Sequence, residues 1–141
     1  MMRKYLAAAA AALSLISSCA KGSVTEAVPA SSVEGGWRLE SWTSGTGTDS
    51  AFDDSRYVYL EFCPDGSYHL YQKIDALQGP VHIEGSYSLS EGILSGEYSD
   101  RQPWAGVYRA SMLGGKLRLE PESNPQEIYV YVSDKIPDSL R

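Results

Sequence analysis

From Gly36 onward, hydrophobic and polar residues alternate in short runs broken by turn residues, a period of two that predicts strands and no long helix. The clearest case is Arg56 to Ile74, where two alternating runs flank Cys63-Pro64-Asp65-Gly66. Pro64 presets φ, Asp65 tolerates the bridge region, and Gly66 supplies the positive φ of a type I turn closed by a bulge. Cys63 opposite Ser67 then sets Phe62 against Tyr68 and Leu60 against Leu70 on an apolar face. Glu61, Tyr59 and Tyr57 face His69, Tyr71 and Lys73 on a polar face with aromatics.

The same reading extends both ways. A first strand, Gly36 to Trp42, carries Trp37 and Leu39 on its inner face, and Thr43 to Ser55 reads as a long irregular loop. A fourth strand, Val81 to Leu89, follows Ala76 to Pro80. Pairing Ile74 with Val81 puts His82 opposite Lys73 and leaves His69 and His82 ~13 Å apart, too far for one metal ion or a catalytic pair. The Glu91-Gly92 turn pairs Leu89 with Leu94, Tyr87 with Gly96 and Gly85 with Tyr98, so that interior tyrosines lie over glycines. A sixth strand, Trp104 to Met112, turns Trp104, Gly106, Tyr108, Ala110 and Met112 inward. Gly114-Gly115 then sets Met112 against Leu117 and Ala110 against Leu119. The last strand, Glu127 to Ser133, is read with Ile128, Val130 and Val132 inside and Tyr129 and Tyr131 outside, and Asp134 to Arg141 is a tail. A meander of eight strands leaves two exposed edges unless the first and last pair. The expected fold is therefore an all-β, eight-stranded antiparallel up-and-down barrel.

Residues 1–18 do not share this pattern. Arg3 and Lys4 precede an apolar run, Tyr5 to Ile16, of roughly twelve residues, too short to span a bilayer as a helix and the right length for a signal-peptide core. Ile16-Ser17-Ser18-Cys19 resembles the lipobox of bacterial lipoprotein precursors. The resemblance implies cleavage before Cys19, its acylation (palmitate among the chains), and a membrane partner through that lipid; Ala20 resembles the outer-membrane default. Residues 19–34 read as a flexible tether, able to reach ~50 Å when extended at ~3.3 Å per residue, and residues 35–141 as the barrel domain. Loss of Arg3 and Lys4 takes the formal charge from −6 to −8. An acidic domain offers nucleic acid no phosphate-binding surface. With Cys19 acylated, Cys63 is a free thiol, read as a packing residue.

Gly35-Gly36-Trp37 resembles the Gly-x-Trp of the first lipocalin strand, whose tryptophan plugs one end of the barrel. Together with the meander, the Pro-Asp-Gly hairpin, and Gly85 to Tyr87 and Leu94 to Tyr98, the chain looks like the short lipocalin-like domains of bacterial envelope lipoproteins over roughly Gly35 to Asp138. It departs from secreted lipocalins in having no Thr-Asp-Tyr segment, no C-terminal helix and no clear arginine to stack on Trp37, for which Lys135 or Arg141 could serve. The larger family implies carriage of a small hydrophobic ligand.

Candidate chemistry is sparse. Asp49, Asp53 and Asp54 lack the spacing of an EF-hand loop, and no nucleophile with its base is visible, so a non-enzyme without metal or cofactor is expected. Two readings remain. In one, the barrel is a monomeric binding module whose cavity is lined by Trp37, Tyr87, Gly96, Tyr98, Trp104, Gly106 and Tyr108. In the other, the barrel is filled and Tyr57, Tyr59, Tyr71, Tyr129 and Tyr131 form an exposed belt for an envelope protein partner. A cavity of several hundred Å³ separates the two.

Overall fold

The computed structural model describes residues 29–141 except 76 and 78; the leader, the Cys19 lipidation site and the tether up to residue 28 lie outside the described residues. Nine strands follow one another in a single antiparallel sheet: β1 Gly35–Ser44, β2 Gly47–Asp49, β3 Tyr57–Phe62, β4 Ser67–Lys73, β5 Val81–Ser90, β6 Ile93–Tyr98, β7 Tyr108–Leu113, β8 Lys116–Pro121 and β9 Ile128–Ser133. β2 is a short flap folded on the end of β1; the other eight close into a barrel through β1 and β9, where Trp37 lies opposite Ser133 and Thr43 opposite Ile128. Closure leaves neither β1 nor β9 as a long free edge.

Tight turns fix register, and each sits where its sequence places it. Phe62 faces Tyr68 and Leu60 faces Leu70 across the Pro-Asp-Gly turn, with Gly66 at φ 92°. Glu91 and Gly92 both have positive φ, as a two-residue hairpin turn requires, and set Leu89 against Leu94 and Tyr87 against Gly96. Gly114 and Gly115 do the same for Met112 and Leu117.

Across the longer connections the arrangement differs from the expectation. Thr43 to Ser55 is not wholly irregular: β2 pairs back on β1, and Arg56 forks onto Asp49 at 2.6 and 3.1 Å. Between β4 and β5 the register is displaced by two residues, so Gln72 rather than Ile74 faces Val81. The parity survives, but His82 now lies opposite Tyr71, and His69 and His82 meet, Nδ1 to Nε2, at 3.0 Å. Regular pairing of the sixth expected strand begins only at Tyr108. Before it, Pro103 makes an isolated bridge to Glu97, and Gly106 is exposed.

β9 is turned over. Leu117 and Leu119 belong to the core, and the residues opposite them are Tyr131 and Tyr129, so the tyrosines face inward. Ile128, Val130 and Val132 take the outer face, half-buried. Opposite, β1 bulges between Leu39 and Ser41, which brings Trp42 to face Tyr129 from the same side as Trp37 and Leu39.

The tether ends earlier than its composition suggests. Ala30–Val33 form a 3-10 turn; Val33 is fully buried, and its carbonyl accepts a hydrogen bond from Trp37 Nε1 at 2.8 Å. The C-terminal tail also packs on the barrel. Ile136 is 1% exposed, and a Cβ on Gly36 would collide with the Asp134 carbonyl that lies over it. Arg141 does not stack on Trp37; it pairs with Glu61 on the outer face.

Candidate ligand-binding site

The three connections at one end of the barrel are short, the turns at Cys63 to Gly66, Glu91-Gly92 and Gly114-Gly115, and the 3-10 turn ahead of β1 docks under Trp37 beside them. This end is sealed. Trp37 is 4% exposed, Phe62 meets Tyr87 edge-on at 4.8 Å, and Tyr87 donates to the Cys63 carbonyl. At the other end emerge the long connections, residues 45–56, 74–80, 99–107 and 122–127. Between them a cavity of about 400 Å³ opens toward the long loops, within the roughly 300–1,000 Å³ usual for small-molecule sites.

Its aliphatic wall comes from strand residues with inward parity, among them Leu39, Leu60, Leu70, Leu94 and Leu119. Facing them is an unbroken arc of rings. Trp42 stacks on Tyr129 (5.8 Å, 6°), Tyr129 meets Tyr108 edge-on (6.4 Å, 81°), Tyr108 meets Trp104 (6.3 Å, 72°), and Trp104 meets Tyr68 (5.0 Å, 78°). Offset and edge-to-face pairs of this kind contribute about 0.5–1.5 kcal/mol each beyond burial. Two of their polar atoms donate within the protein: Trp104 Nε1 to the Tyr68 hydroxyl at 3.0 Å, and the Tyr129 hydroxyl to Glu127 at 2.9 Å.

A buried indole N–H is not engaged. Trp42 Nε1 is buried and has no hydrogen-bond partner among the described residues. A buried N–H left unpaired costs about 1–3 kcal/mol, so a ligand that offers it an acceptor recovers that cost. The wall carries little charge. Burial pushes the Tyr131, Tyr129 and Tyr108 phenols up, and the Glu127 carboxylate adds to the shift at Tyr129, so all three stay neutral. The single cation in the lining, Arg56, lies 4.7 Å over the Phe52 ring at the rim and is neutralised by Asp49. A neutral, largely aromatic cavity with a buried, unpaired indole N–H in its wall suits an apolar, flat ligand carrying a hydrogen-bond acceptor.

The residues singled out from sequence are distributed unevenly around this cavity. Tyr98, Trp104 and Tyr108 form part of its wall. Trp37 and Tyr87 belong to the sealed end, with their polar atoms engaged there. Gly96 lies beneath the Trp104 indole, which occupies the space a side chain would take. Gly106 is outside, exposed on the loop before β7. Trp42, Phe52, Arg56, Tyr129 and Tyr131 line the cavity without having been singled out for it. A clue to Trp42 was its place after Leu39 at an odd offset, which a bulge corrects; the inward turn of Tyr129 and Tyr131 had no local signal.

The barrel superposes on a lipocalin-like protein from Bacteroides uniformis ATCC 8492 with a TM-score of 0.55 and 18% identity, over 73% of this chain and 99% of that one. The fold is lipocalin-like. An uncharacterized protein from Bacteroides eggerthii DSM 20697 shares the lipocalin-like barrel, with a TM-score of 0.53 and 16% identity, over 72% of this chain and 99% of that one. No family model and no curated protein matches the chain. In this lipocalin-like barrel the tryptophan at the start of β1 seals one end, and the cavity opens at the other.

Proposed function

We propose that the protein is a non-enzymatic, lipid-anchored lipoprotein of the cell envelope, held at the outer membrane by Cys19, whose monomeric barrel carries a small hydrophobic ligand. The observation behind this reading is the cavity of about 400 Å³, open at the long-loop end and lined by the arc from Trp42 to Tyr68. A filled barrel acting through an exposed tyrosine belt fits less well. Tyr57 and Tyr71 are 8% and 4% exposed, and Tyr129 and Tyr131 face the interior.

The test is a titration of the purified barrel with a fatty acid, a retinoid and a porphyrin, read by tryptophan fluorescence. Trp42 and Trp104 are in the wall and Trp37 is not, so a genuine ligand changes the emission of Trp37→Phe protein and changes it less in a Trp42→Phe, Trp104→Phe double variant. A silent titration with all three classes rejects carriage of these ligands. Anchoring is tested separately: Cys19→Ser expressed in a Gram-negative host should leave the detergent phase and lose its acyl mass, and a variant that stays membrane-bound rules the anchor out.

A further inference from the structure

The two-residue displacement between β4 and β5 assembles a second group of side chains on the outer face, away from the cavity. Glu61 and His69 lie directly opposite one another on β3 and β4. Cys63 is two residues beyond Glu61, on the same face, where the strand enters its turn. One oxygen of Glu61, the Cys63 sulfur and one ring nitrogen of His69 lie within 4.8 Å of each other, and all three residues are half-buried. His82, from β5, closes the group with its Nε2 3.0 Å from His69 Nδ1 and its ring stacked on Tyr71 at 4.4 Å.

We infer that Glu61, Cys63 and His69 form a binding site for a divalent transition-metal ion of the zinc class, with His82 as a positioning residue. Thiolate and imidazole together favour zinc over the hard cations magnesium and calcium. With metal–nitrogen and metal–oxygen bonds of about 2.0 Å and a metal–sulfur bond of about 2.3 Å, tetrahedral donors stand about 3.5 Å apart, so side-chain rotation of the order of an ångström brings these three into place. His82 settles which nitrogen of His69 is used. When His69 Nδ1–H donates to His82 Nε2, the lone pair on His69 Nε2 is left for the metal, the arrangement in which a ligating histidine is oriented through its other nitrogen. Binding releases the Cys63 thiol proton to solvent and forms no other covalent bond.

Arg141 sets the strength of the site. Its guanidinium donates to both Glu61 oxygens, at 3.1 and 2.8 Å. Each carboxylate oxygen keeps a second lone pair, so one metal bond is still open, but the neighbouring positive charge opposes a cation. Arg141 therefore competes with the metal for Glu61.

The experiment uses the full chain with Cys19→Ser, which leaves Cys63 as its one thiol, titrated with Co²⁺ alone and then with Zn²⁺ as competitor. The expected result is one equivalent of Co²⁺ bound with a thiolate-to-metal charge-transfer band that Zn²⁺ abolishes. Cys63→Ser should remove the band, His69→Ala should weaken binding at least tenfold, and His82→Ala should weaken it about 10–100-fold while keeping the band. Arg141→Ala should tighten binding. Far-ultraviolet dichroism of each variant separates lost ligands from lost fold. Co²⁺ binding without the thiolate band, or affinity indifferent to His69→Ala in a folded variant, overturns the assignment.

Discussion

The two ends of the barrel are built on opposite terms. At the sealed end, turns of two to four residues join the strands, side-chain N–H and O–H groups are paired, and Trp37, Phe62 and Tyr87 pack into one another. At the mouth, connections of six to twelve residues join the strands, Ile74 and Tyr98 beside them are 43% and 37% exposed, and one indole N–H has no partner among the described residues. The difference separates stability from use. Packing that is complete leaves nothing for a ligand to improve, whereas an incompletely satisfied wall lowers its free energy when a ligand supplies the missing contacts.

The largest effect should come from breaking the sealed end. Trp37→Ala removes a buried ring and its hydrogen bond to Val33, and should cost about 3–5 kcal/mol in chemical denaturation. A loss below about 1 kcal/mol would mean that the plug is dispensable. Next is the seam between the two ends. Gly96→Leu drives a side chain into the Trp104 ring and the Ser86 carbonyl, so it should destabilise by about 1–3 kcal/mol. A neutral or stabilised variant would show that Trp104 swings aside and that the cavity extends over β6.

Smaller effects are expected at the mouth. Trp42→Phe keeps a ring against Tyr129 and deletes the unpaired donor. Its stability should stay within about 1 kcal/mol of wild type, while ligand affinity falls about 2–12-fold, the worth of one hydrogen bond of about 0.5–1.5 kcal/mol. Equal affinity would remove Nε1 from recognition.

The smallest effect is that of acid on the rim. The Arg56 guanidinium, with help from the Ala51 backbone N–H, holds the Asp49 carboxyl below the usual carboxylate range. Its folded pKa is lower than its unfolded one, so the pair's contribution is present above the unfolded value and lost as pH falls through the folded value, below about pH 4. The protection of amides across residues 44–56, measured against their intrinsic exchange rates, should fall in that range while Phe62 and Leu94 remain protected. Uniform exchange at both ends would erase the distinction.

The same division explains what could be read from sequence. Pro64-Asp65-Gly66, Glu91-Gly92 and Gly114-Gly115 each dictate a backbone conformation, so the pairs they set, such as Phe62 with Tyr68 and Tyr87 with Gly96, follow from local chemistry. A long connection carries no register. Across residues 74–80 the pairing is displaced by two, which preserves the inner face and so satisfies the hydrophobic pattern equally well, yet brings His69 and His82 together. Across residues 122–127 the parity itself is undetermined, because β9 alternates aliphatic residues with tyrosines and either set can be buried. Pairing with Leu117 and Leu119 decides for Tyr131 and Tyr129. The aliphatic wall comes from strands whose inward parity is legible, whereas Phe52, Tyr129 and Tyr131 reach the cavity from a long connection and from β9, where the sequence carries no such signal.

The 3-10 turn at Ala30–Val33 enters beneath Trp37, and Arg141 ends on Glu61 beside the Cys63 turn. Both ends of the described chain thus leave from the face opposite the opening. A surface that holds the polypeptide ahead of residue 29 would therefore meet the chain at the base of the barrel and not at its opening. On the reading proposed above, a ligand then enters and leaves on the far side.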